Sequence, residues 1–256
     1  MANWNDPQPT RSNNSAGFGA SPSLDGRSLS QSAFDLGLRR HMLSIYNYMA
    51  SGVLLTGIVS LLFANMLSAN PAMMETVFGS PLKWLIMLAP LGFVMAMSFG
   101  INRMATSTLQ MLFWAFCVVM GLSMSTIFLV FTGASIASTF FATAGAFAGL
   151  SLFGYTTKKN LSAMGSFMTM GLIGIIIAMV INMFLQSSGL QLAISILGVL
   201  IFAGLTAWDT QRLKTEYAHV AGTDYAGKAV IMGALSLYLD FINMFQFLLQ
   251  FMGDRR

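Results

Sequence analysis

Charge is what this chain has least of: Asp, Glu, Lys and Arg make up 9% of its 256 residues, against roughly a quarter in soluble domains. That shortage excludes an ordinary water-soluble fold. The surplus is only +4, too small for a nucleic-acid-binding surface. Cysteine is nearly absent, and the single Cys117 sits in an apolar run without a partner, so no intramolecular disulfide forms. The two histidines, His41 and His219, both flank the hydrophobic segments. One Cys and two separated His leave no structural zinc site, and a serine intramembrane protease lacks the embedded histidine it needs. No Gly-rich phosphate-cradling loop is present, which argues against an ATP-driven pump.

What the chain has instead is hydrophobic length: 55% of its residues are apolar, and from His41 onward the charge-free intervals are long. A membrane-spanning helix needs about 20 residues, so the two longest intervals hold two helices each. This predicts seven spans, near residues 44–69, 84–102, 108–131, 135–156, 161–185, 190–208 and 229–252. Breaks at Thr132-Gly133-Ala134-Ser135 and Gln186-Ser187-Ser188-Gly189 have turn chemistry. Residues 1–40, rich in Ser, Asn, Gly and Pro, read as a disordered polar tail retained in the cytoplasm, and 41–256 as one transmembrane domain.

With the amino terminus inside, Arg39, Arg40, Arg103, Lys158, Lys159, Arg212, Lys214 and Lys228 fall on the inner side and only Lys83, Arg255 and Arg256 on the outer. That distribution follows the positive-inside rule. Arg255 and Arg256 are the exceptions, and they leave open a last segment that re-enters rather than crosses. Ser138, Ala142, Gly145, Ala146 and Gly149 form a small-residue face, expected to pack tightly within the monomer, with a dimer contact as the alternative. The 21 methionines are scattered and read as adaptable packing. Trp84, Tyr155 and Trp208 stand at span ends as interfacial anchors do.

The last hydrophobic run, residues 229–252, carries a carboxylate at its middle, Asp240. A charge at that depth costs roughly 2.5–3.5 kcal/mol, so it is seldom kept without a partner or a task. At 100° per residue Asp240, Asn243, Gln246 and Gln250 share an arc of about 120°, which predicts one face polar along the whole helix, turned towards other helices or a wet cavity. Arg103 closes the second span and Asp209 the sixth, both on the inner side. Asp209 either meets Asp240 or caps a segment Thr210 to Tyr217.

Three ordered blocks, Gly154-Tyr-Thr-Thr-Lys-Lys-Asn-Leu161, Phe202-Ala-Gly-Leu-Thr-Ala-Trp-Asp-Thr-Gln-Arg-Leu-Lys214 and Gly233-Ala-Leu-Ser-Leu-Tyr-Leu-Asp-Phe-Ile-Asn-Met-Phe245, resemble the signature blocks of the Bax inhibitor-1 family in its bacterial branch. The resemblance covers about residue 40 to the end. It implies an all-α fold of seven transmembrane helices, two three-helix layers around a central carboxyl-terminal helix. It also implies a pH-sensitive calcium leak, not an enzyme, governed by Asp209, Asp240 and an arginine from the second helix, to which Arg103 corresponds by position. Asn243, Gln246 and Gln250 are the expected supporting polar stripe. Calcium is the transported ion, held weakly by Asp209 and Asp240, since two carboxylates fall short of the six to eight oxygens of a tight site. No cofactor is implied. Two nearby carboxylates cannot both ionise easily, so the pair is expected to titrate as a unit. The expected partners are the lipid bilayer, calcium ions, protons and other membrane proteins, in a bacterial inner membrane, or an endomembrane in a eukaryote.

Two other classes are open at this point. An intramembrane aspartyl protease also needs two aspartates, but in Tyr-Asp and Gly-x-Gly-Asp contexts, where this chain has Ala-Trp-Asp209 and Tyr-Leu-Asp240. A proton-coupled transporter, or a regulatory membrane protein in stress survival or protein quality control, shares the buried aspartates.

Overall fold

A computed structural model describes residues 26–256, with side chains from Ser32 onward. Eight helices follow in order: α1 Gly26–Ala69, α2 Pro71–Phe78, α3 Leu82–Gly100, α4 Thr106–Val130, α5 Gly133–Thr156, α6 Ser162–Leu185, α7 Ser188–Val220 and α8 Ala226–Met252. Among the described residues seven of them, all but α2, are long and apolar enough to cross a membrane. The short α2 is absent from the sequence expectation, although its signal is present. Asn70 accepts from the Met73 N–H at 3.3 Å and Pro71 opens the first turn, a helix start that needs no hydrophobic length.

Two helix boundaries differ from the expectation. The polar tail was to run to residue 40, but α1 is already helical from Gly26, and residues 1–25 lie outside the described residues. The sixth span was to end at Trp208, but α7 continues twelve residues further, to Val220. Hydropathy marks where the chain leaves the apolar layer, whereas the helix ends only where its backbone signals end. The continuation Asp209 to Val220 has no Gly or Pro and is rich in helix formers, so nothing stops it before Gly222, which takes φ +74°. Asp209 therefore lies inside a continuous helix and caps nothing.

The seven-span body, Gly37–Arg256, is built around α8. Its most apolar window is 67% buried, against 6–39% for the other spans. On one side stand α1, α3 and α4. Thr56 of α1 donates to the Cys117 carbonyl of α4 at 2.9 Å, and its hydroxyl meets the buried Tyr238 hydroxyl of α8 at 2.6 Å. Phe113 and Phe116 of α4 set their edges against the Tyr238 ring. On the other side stand α5, α6 and α7, in close backbone contact. A Cβ on Gly154 of α5 would strike the Ala207 carbonyl of α7, and one on Gly165 of α6 would strike the Trp208 ring. These two glycines let α7 seat deeply enough to bring Asp209 to α8.

Gly154→Ala is accordingly expected to lower stability by about 1–3 kcal/mol through overpacking. Thermal unfolding in detergent checks this. Gly145→Ala, where a Cβ meets nothing within 4 Å, is the neutral comparison.

The carboxyl terminus settles whether α8 crosses or re-enters. Arg255 pairs with Phe131 in an isolated antiparallel bridge, Thr132 N–H donates to Asp254 O at 3.0 Å, and Arg256 N–H donates to Val130 O at 2.9 Å. The chain end is thus tied to the α4–α5 turn, opposite the turn where α8 begins, so α8 crosses. Arg255 also has a local partner, its guanidinium lying 5.9 Å from the Phe131 ring centroid. A second expectation fails on α5. Ser138, Ala142, Gly145, Ala146 and Gly149 are all exposed, because α5 packs inward with the opposite face, Thr139, Thr143, Phe147 and Ser151. Trp208, partly buried, rests its ring on Gly165 of α6.

Candidate functional site

Asp209 of α7 and Asp240 of α8 are 6% and 4% exposed, and their carboxyl groups face each other within hydrogen-bonding reach. Antiparallel packing of the two helices puts them at one level. Together they wall a cavity of about 380 Å³ between α6, α7 and α8, shared with Thr169, Ser236, Asn243 and Phe247 among others. Asp209 Oδ1 and Asp240 Oδ2 are buried without a hydrogen bond. Each of these oxygens keeps lone pairs that can accept, and Asp209 Oδ1 already has the Arg212 guanidinium beside it. Among the described residues no group of three or more His, Cys, Asp or Glu converges. The side-chain oxygens around the cavity are those of Asp209, Asp240, Ser236, Thr169 and Asn243.

The cation beside the pair is Arg212. Its Nη2 lies 3.0 Å from Asp209 Oδ1 and 3.2 Å from the Ser236 hydroxyl, to which it donates, while its guanidinium sits 4.9 Å from the Trp208 ring centroid. The Asp209 contact is a pairing of charges rather than an aligned hydrogen bond, which is why Oδ1 remains unbonded. One side chain thus ties α7 to α8 just inside the aspartate pair. Arg103, the arginine expected here, is exposed in the α3–α4 turn. That turn is fixed at the start of α8: Lys228 Nζ donates to the Ile101 carbonyl at 3.0 Å, and Thr106 lies against Gly227. Lys228 is twelve residues before Asp240, about 18 Å along the helix at 1.5 Å per residue. Arg103 is thus placed near the membrane edge and not at the pair. Arg212, three residues after Asp209, is one helical turn away by construction, a spacing visible in the sequence.

The expected polar stripe divides into three parts. Asn243 lines the cavity and donates to the Leu239 carbonyl at 2.7 Å. Gln246 is half-buried and does not line the cavity, because it sits at the far edge of the arc, about 120° round from Asp240. Gln250 belongs to a separate cluster at the outer end, where its side-chain oxygen accepts from Gln191 Nε2 at 2.7 Å and from the Ser195 hydroxyl at 3.4 Å. Asn182 continues that cluster by donating to Gln191 Oε1 at 3.1 Å. Between the two polar regions the face is interrupted by Phe247, so it is not polar for its full length. Ser236, Thr169 and Arg212 are site residues that hydropathy alone does not single out. The turn-wise spacing of Ser236 and Asn243 about Asp240 is their sequence signal.

A seven-span helical bundle with a facing acidic pair in its core defines a membrane protein with a polar site inside its spans. The family described as "Inhibitor of apoptosis-promoting Bax1" matches residues 38–256. The chain belongs to that family, the Bax inhibitor-1 family. It is 47% identical over 224 residues to the Rickettsia prowazekii protein RP147, covering 87% of this chain and 93% of that one. It is 43% identical over 223 residues to the Escherichia coli "Inner membrane protein YbhL", covering 86% and 94%. A Streptococcus pyogenes membrane protein, SpyM3_0260, is 33% identical over 224 residues, covering 86% and 94%.

Proposed function

We propose that this protein is a pH-sensitive calcium leak of the bacterial inner membrane, in which the Asp209–Asp240 pair is both the ion site and the proton site. The carrying observation is the pair itself, two buried carboxyl groups on neighbouring helices walling one cavity. Calcium is the cargo. Two carboxylates, the Ser236 and Thr169 hydroxyls, the Asn243 amide and water supply oxygens enough to hold it briefly, and weak holding suits passage because the ion must also leave. The membrane is the one named for YbhL, and the lipid bilayer is the immediate partner of the exposed apolar faces. The protein acts without a cofactor and not as an enzyme.

The sign of the pH effect follows from counting protons. A shared proton satisfies the pair and competes with the cation; when it leaves, two facing anions remain and a divalent ion is the partner that neutralises both. The charged groups bearing on the pair are Arg212 and, beside Asp209, Glu216. Calcium flux should therefore rise with pH. The test is purified protein in liposomes with calcium outside and an indicator inside, across a series from about pH 6 to pH 8, the two carboxyl groups being read as one coupled unit. Wild type should show the rise and Asp209→Asn should not; equal pH dependence in both would remove the pair from the mechanism. A proton-coupled transporter is the second reading, favoured by the same proton-holding contact. An organic substrate whose uptake collapses a proton gradient would select it, as would a flux that saturates with that substrate. Regulation of other membrane proteins in stress survival or quality control would be selected by activity that survives loss of both aspartates.

A further inference from the structure

The polar seam between α7 and α8 is broken at one level, and the break is built from two stacked rings. Phe202 of α7 and Phe247 of α8 lie 5.9 Å apart between centroids with planes 25° from parallel, and they are 5% and 6% exposed. Phe202 comes seven residues before Asp209, and Phe247 seven residues after Asp240. Seven residues are close to two turns, so each ring stands over its own helix's aspartate, about 10 Å further out. The antiparallel helices put both rings in one layer. Both also line the aspartate cavity. Beyond them lies the outer polar cluster, in which Gln250 accepts from Gln191 and Ser195. The seat of the plug is specific: a Cβ on Gly198 would come within 2.6 Å of Phe247 ring carbons, so the ring occupies the notch that this glycine leaves.

We infer that Phe202 and Phe247 are the outer gate of the ion path, a dry constriction between an inner site for a divalent cation and an outer vestibule of amide and hydroxyl groups. An apolar pair with polar groups both above and below it on one helix seam stops a hydrated ion, and a small displacement of either ring joins the two polar regions. The inference rests on the ion-path reading above, whereas the barrier itself can be probed without any flux.

The experiment uses the full chain in liposomes with Cys117→Ala and one reporter thiol, Asn243→Cys below the rings or Gln250→Cys above them. A membrane-impermeant cationic thiol reagent is added from the side of the carboxyl terminus. Gln250→Cys should label in every background. Asn243→Cys should label slowly with both rings present and about tenfold faster or more in Phe247→Ala, the change expected when a hydrophobic constriction is opened. Equal labelling of Asn243→Cys with and without the Phe247 ring would overturn the gate. Should Phe247→Ala not fold, Gly198→Ala serves in its place, since its methyl group displaces the same ring and removes none. Calcium flux in the same proteoliposomes separates the two ideas. A wild-type flux that needs the aspartates and is unchanged by Phe247→Ala sinks the gate and leaves the leak standing. Faster labelling without flux in any protein sinks the leak and leaves the barrier.

Discussion

Asp240→Asn is expected to abolish the pH dependence of calcium flux, and adding Asp209→Asn to it is expected to change the remaining flux by less than about twofold, because the two groups act as one unit. The reasoning is geometric. The two carboxyl groups meet across the α7–α8 contact and wall the same cavity, so in the proposed mechanism each is the other's partner for a shared proton. Removing either carboxylate removes both the proton site and half of the cation site. Groups in one network typically show coupling energies of about 0.5–3 kcal/mol, large enough to make the double variant resemble the single ones. Asparagine keeps the shape of the side chain, and its amide can donate to the Asp209 carboxylate, so the fold should survive. Thermal unfolding in detergent provides the control, with a midpoint near that of wild type. Additive losses in the double variant would mean that the aspartates serve two separate sites. A pH-dependent flux that persists in Asp240→Asn would mean that another group reads the proton.

Much of this architecture is legible in the residues because the bilayer imposes length and apolarity on every span. Five of the seven expected spans sit within about three residues of α3 to α6 and α8 at both ends, and the first ends with α1 at Ala69, since hydropathy fixes these boundaries. Where the helix outruns the membrane, as α1 does before His41 and α7 does after Trp208, hydropathy is silent and helix propensity governs. At the site the two aspartates stand out because a charge inside a span is costly. Arg212 is harder to read, being one of several basic residues at the inner edge, distinguished only by its spacing from Asp209. Angular position misleads in one respect. Phe247 lies at 340° when Asp240 is set at zero, inside the arc that Asp240, Asn243, Gln246 and Gln250 define, so a wheel that marks only polar residues draws a continuous stripe where the helix presents an interrupted one. Small residues are ambiguous for a similar reason. Gly154 and Gly165 are closed on by α7 while Gly145 and Gly149 face outward, and nothing in their local sequence separates the two cases.

The second large effect expected is a rise of about tenfold in basal calcium flux in Arg212→Ala, with Arg103→Ala within about twofold of wild type, the sizes expected for removing a fixed charge from a pore mouth and from a solvated turn. Arg212 touches Asp209, Ser236 and the Trp208 ring, and so ties α7 to α8 on the inner side of the aspartate pair. Its side chain is 42% exposed, so the ion pair itself contributes little to stability, about 0–1 kcal/mol for such pairs. Loss of the arginine should therefore show in conduction and not in unfolding temperature. Arg212→Lys refines the test. Lysine keeps the charge and can meet Asp209 and Ser236 through one nitrogen as Arg212 does through Nη2, but it loses the planar stacking on Trp208, so its flux should fall between wild type and alanine. The opposite pattern, a leak released by Arg103→Ala and untouched by Arg212→Ala, would require the inner end of α3 to travel inward along α8 by much of the roughly 18 Å between Lys228 and Asp240. That displacement would break the Lys228 contact to Ile101. A disulfide trapping the α3–α4 turn against the start of α8 separates the cases, because it blocks a latch carried by Arg103 and leaves one carried by Arg212 free to open.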